Sequence, residues 1–106
     1  MFLDIDPRRK PPVTLAQSTD FDSLSVLVRA TPETVRLQDV LLGWGEFDGT
    51  HVWLSTQRLE DELGDHFGTD LTWRERFTDL LDYALAQGWF DESGLSVRAH
   101  CRWQTL

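Results

Sequence analysis

The sequence predicts an α+β fold: a small, mainly antiparallel sheet of about four short strands with three helices packed against it. Three stretches carry that expectation. One is a helix-periodic run over residues 71–89, one a strictly alternating run over 95–103, and one a hairpin signal centred on Asp48-Gly49.

In the first stretch, Trp73, Phe77, Leu80, Leu81, Ala84 and Leu85 recur at steps of four, three, one, three and one. That traces one face of a 3.6-residue period. Thr72, with Glu75 three residues later, reads as a capping box. Gly88 stands where a left-handed residue would stop the helix. Arg74, Glu75, Thr78, Asp79 and Asp82 occupy the wet face.

In the second stretch, Leu95, Val97, Ala99, Cys101 and Trp103 alternate with Ser96, Arg98, His100 and Arg102. This is a half-buried strand with one apolar and one basic face. The strand lacks proline and is the last element, so it reads as an open sheet edge. Its basic face against an acidic helix face of a second copy predicts a homodimer. In the third stretch, Asp48-Gly49 between apolar runs suits a two-residue turn with positive φ at both positions.

The remaining elements follow in chain order. Residues 1–12, with Pro7, Pro11 and Pro12 around Arg8-Arg9-Lys10, read as an irregular arm, and residues 13–106 as the single α+β domain. The basic cluster reads as a solvated segment balancing an acidic body. Val13 to Ala16 reads as a strand. Thr19 with Asp22 opens a predicted helix whose inner face is Phe21, Leu24, Leu27 and Val28. Residues 34–42 read as a short strand and then a helical turn. Ser55 or Thr56 caps a helix carrying Leu59, Leu63 and Phe67 inward, and Glu60, Asp61, Glu62 and Asp65 outward.

Composition narrows the function classes. The chain has 106 residues, 41% of them hydrophobic, enough for one core without disulfides. A formal charge of -8 repels phosphate backbones and anionic lipid. The single cysteine, Cys101, lies on an apolar strand face and reads as reduced and buried, which fits a cytoplasmic protein. No apolar run is long enough to span a membrane, so no membrane partner is expected. Nine of the ten basic residues are arginine, a coding bias that points to a bacterial source.

Few residues combine into a chemical constellation. His51, His66, His100 and Cys101 show no metal-ligand spacing, and neighbouring strand residues face opposite ways. No metal, cofactor or catalytic residue is therefore assigned. The acidic helix faces read as solvated rather than as catalytic pairs. The order of the last elements also fits a winged helix-turn-helix. Its recognition helix would carry Arg74 and Arg76 against Glu75, Asp79 and Asp82, which argues against nucleic acid. Trp44, between two glycines, together with His51, Arg98, His100 and Arg102, is the candidate ligand or partner surface.

The segment His51-Val52-Trp53-Leu54 before a helix, and the pattern Trp73, Phe77, Tyr83-Ala84, Gly88-Trp89, Asp91 and Ala99-His100, are similar to short single-domain actinobacterial proteins with no assigned function. The resemblance implies a stand-alone bacterial domain and transfers no catalytic residue. The expected function is thus a non-catalytic protein-interaction or accessory module. Its partner is a second copy or another protein. A winged-helix DNA-binding regulator and a small-ligand-binding protein are the alternatives.

Overall fold

The computed structural model describes residues 1–105; residue 106, the end of the expected domain, lies outside the described residues. The elements are β1 (Phe2–Ile5), β2 (Val13–Ala16), β3 (Ser25–Val28), α1 (Leu37–Val40), β4 (Gly45–Phe47), β5 (His51–Ser55), α2 (Thr56–Phe67), α3 (Trp73–Ala86) and β6 (Ser96–Trp103). The α+β class and the three helices are as expected, but the sheet has six strands rather than about four, in the order β2-β1-β3-β6-β5-β4. The β1–β2, β4–β5 and β5–β6 pairs are antiparallel, while β1–β3 and β3–β6 are parallel.

Two of the extra strands lie where the sequence suggested something else. Residues 2–5 are not an irregular arm. Leu3 and Ile5 alternate inward and are fully buried, and β1 pairs on both sides. The basic cluster forms the β1–β2 turn, where Arg9 reaches the Asp4 and Pro12 carbonyls and the Thr14 hydroxyl, and Arg8 pairs with Asp6 at 3.1 Å. Residues 19–28 do not form a helix. Val26 and Val28 are fully buried in β3 between two strands, while Phe21 is buried from the preceding loop. A short apolar run fits either period, and here β-branching and the two flanking strands decide for extended backbone.

Residues 34–42 give the helical turn, α1, without the strand before it. The hairpin forms, but its turn centres on Gly49-Thr50: Gly49 has φ +99°, and Asp48 is not among the positive-φ residues. Ser55 caps α2 by accepting from the Arg58 N–H at 3.2 Å. Thr72 is helical and makes no capping bond; instead its N–H and hydroxyl both donate to Asp70. The helix stop holds: at Gly88, φ +77°, the Trp89 N–H donates to the Ala84 carbonyl and the Gly88 N–H to that of Leu85, the two bonds of a Schellman motif.

Strand pairing sorts the sheet into two faces. Leu3, Ile5, Val26, Val28, Val52, Leu54, Val97, Ala99 and Cys101 point into one buried cluster, which also takes in Leu59 and Leu63 of α2 and Trp73, Phe77 and Ala84 of α3. The helices therefore cover this face. The other face carries no helix. The winged-helix expectation fails on this topology: β6 is not a wing strand but an interior strand between β3 and β5, and residues 89–91 meet it through one bridge, Phe90 to Val97.

Candidate functional site

The site is built on β6. Its even-numbered residues face away from the core, and register places them. His100 lies opposite His51 on β5 and Ser25 on β3, Arg98 opposite Trp53, and Arg102 opposite Leu27. Four of the five candidate residues, His51, Arg98, His100 and Arg102, thus share the uncovered face. The fifth, Trp44, does not belong there: it is 7% exposed in the core, with the Arg58 guanidinium 4.1 Å above its ring. The flanking glycines do not expose it, because Gly45 is paired in β4 and Leu41 and Leu37 pack beneath the turn.

The hairpin turn fixes the β5 side of this face. The Asp48 carboxylate accepts from the His51 and Thr50 N–H groups, at 2.7 and 2.9 Å, and from the Trp53 indole N–H at 2.9 Å. These donors, the His51 N–H foremost, hold the Asp48 carboxyl down at about 2. His51 and His100 meet edge to face with ring centroids 6.4 Å apart. At the other end of the sheet, Asp4 pairs with Arg29 through bonds of 2.9 and 3.1 Å and also meets Arg9. The Arg29 guanidinium lowers the Asp4 carboxyl below its ordinary range. Arg29 and Arg9 are therefore both tied to the one carboxylate of Asp4. Among the described residues, Arg98 and Arg102 make no ion pair.

No protein-family model, no curated protein and no solved structure matches the chain. The chemistry of the site rests on its own residues.

A cleft of about 420 Å³ opens beside β6. On that flank β6 changes neighbour: Phe90 bridges to Val97, and β3 begins its pairing only at His100. The cleft occupies this junction. Leu80, Leu81, Ala84 and Trp89 form an apolar wall with Val97, while His51, Arg98 and His100 reach it from the uncovered face. Asp22 and Ser23, on the loop before β3, complete the lining. Sequence reading offers neither Trp89 nor the 22–24 loop as site residues: residues 19–28 read as a helix, and Trp89 closes the periodic run over 71–89. Only the alternation in β6 pointed to the cleft.

Among the described residues no three His, Cys, Asp or Glu side chains gather closely enough to hold a metal ion. Among the described residues no helix is long and apolar enough to cross a membrane. Cys101 is buried, and burial pushes its thiol up to about 11, far from a nucleophile's range.

Proposed function

We propose that this domain is a non-catalytic protein-interaction module that docks an acidic, partly apolar segment of another protein on the uncovered face of its sheet. One observation carries the reading: in a chain of net charge -8, Arg98, Arg102, His51 and His100 gather on an open face, and among the described residues no acid pairs with either arginine. Half-buried Phe2, Leu27 and Trp53 lie among them. Parallel strands are ordinarily covered on both faces, and the parallel β1–β3–β6 centre of this sheet is covered on one.

The charge pattern favours a foreign partner over a second copy. The acidic helix faces and the basic sheet face lie on opposite sides of the molecule, so joining them would build a head-to-tail chain rather than a closed dimer. Stacking two sheet faces would set arginine against arginine. A DNA partner meets the same net charge and finds the arginines of α3 occupied: Arg74 bonds Glu60 at 3.0 Å, and Arg76 lies over Phe21.

Selection from a displayed random-peptide library tests the proposal. Acidic sequences with interspersed apolar residues should be enriched by the native domain and not by Arg98→Glu/Arg102→Glu. Enrichment that ignores the double substitution, or none, would overturn it.

A further inference from the structure

We infer that the cleft beside β6 is a binding site for a small aromatic carboxylate. The cleft shares His51, Arg98 and His100 with the sheet face but takes in neither Leu27 nor Arg102. The cleft's volume, about 420 Å³, falls in the range of small-molecule sites. It is two-sided. One wall is apolar and aromatic, with Trp89 packed edge-on to Tyr83 at 5.7 Å between ring centroids. An aromatic body would find ring edges and aliphatic carbons there, the surroundings that favour offset or edge-to-face contact.

The other part of the lining selects charge. Arg98, half-buried and without an ion pair among the described residues, stands with His51 and His100 against a single acid of the lining, Asp22. A guanidinium offers a planar fork that fits a carboxylate through two N–H donors. The imidazole pair adds donors at its side. A cationic ligand would meet this wall unfavourably, and a neutral one would leave the guanidinium unpaired in a partly dried cleft. The site exists because the sheet is interrupted. On this flank β6 is bonded to Trp89 and Phe90 up to Arg98 and to β3 from His100, and the cleft lies at that change of neighbour.

Titration of the ¹⁵N-labelled domain with 2-naphthoate, 2-naphthamide and 2-naphthylmethylamine tests this. The carboxylate should shift the Trp89 indole and Ala84 amide signals and bind about tenfold or more tightly than the amide, with the amine weaker still. Arg98→Gln should remove that preference, and Tyr83→Ala, at an exposed position, should weaken the carboxylate without unfolding the domain. Equal binding of the three compounds, carboxylate preference that survives Arg98→Gln, or no shift at Trp89 would overturn the inference. Arg98 is common to both sites, so the two proposals are told apart by Tyr83→Ala, which alters only the cleft, and by Arg102→Glu alone, which alters only the sheet face.

Discussion

Asp48 shows how one side chain shapes the hairpin. Its carboxylate accepts from the His51 and Thr50 N–H groups and the Trp53 indole, and all three donors favour the ionised form. Its pKa falls from 3.8 to about 2 on folding. A depressed carboxyl pKa contributes stability that is complete above the unfolded value and is lost as pH falls through the folded one. The contribution should therefore fade between about pH 4 and pH 2. The Trp53 indole proton, followed by NMR, should titrate with a midpoint near 2 rather than near 3.8. Asp48→Asn should remove that step and flatten the acid limb of the unfolding curve in the same window. Burial decides the apolar residues in the same way. Leu63 is fully buried and Leu85 is 62% exposed. Leu63→Ala should cost about 2–5 kcal/mol and Leu85→Ala less than about 0.5 kcal/mol, read by denaturant titration. Cys101 should react slowly with a thiol reagent in the native protein and fast in urea, since its thiol is buried and its pKa raised.

At the scale of elements, α2, α3, β5 and β6 were legible because their signals are long: two turns or more of periodicity, a capping serine, a C-terminal glycine and eight alternating strand residues. The period of α3 marked its face but not its depth. Trp73, Phe77 and Ala84 are buried, Leu80 and Leu81 only partly, and Leu85 faces water, because the cleft lies beneath the C-terminal half. Leu81, which the helical period alone would rank as core, should thus cost less on truncation than Leu63. The short strands β1 and β3 were not legible. Four residues with two inward apolar side chains fit a helix or an arm as well, and only their partners make them strands. The open edge expected at 95–103 is absent for the same reason. Parallel pairing with β3 comes from residues 25–28, far back in sequence, so sequence position does not reveal that β6 is interior. The true edges are β2 and β4, of four and three residues. At β4 the edge depends on Gly45: an added Cβ would meet the Trp53 carbonyl, 2.9 Å from its carbon. Gly45→Ala should force β4 away from β5 and cost about 1–3 kcal/mol, with loss of amide-exchange protection confined to the hairpin.

For the whole molecule, the sheet separates charge by layer. Helices with acidic outer surfaces cover one face, and the other exposes arginine and histidine from β5 and β6. The four site residues from β5 and β6 could be named from alternation alone, but not the occupancy of their neighbours. That Arg9 and Arg29 are held by Asp4 while Arg98 and Arg102 are not depends on the fold. Trp44 failed as a surface residue because a tryptophan between glycines can turn inward as readily as outward, and here Arg58 covers the ring that remains. Short edges should keep the isolated domain from pairing strand to strand. Light scattering behind a sizing column should give a mass near 12.3 kDa at low salt. A dimer lost on Arg98→Glu/Arg102→Glu would mean that a second copy, not a foreign partner, covers the face.

The most direct measurement is an amide chemical-shift map of the ¹⁵N-labelled domain titrated with an acidic peptide enriched from the library. Perturbations centred on His51, Trp53, Arg98, His100, Arg102 and Leu27, with binding that weakens as salt rises, are the predicted result. Perturbations centred on the outer surfaces of α2 and α3, with the β6 signals unmoved, would contradict docking on the sheet face.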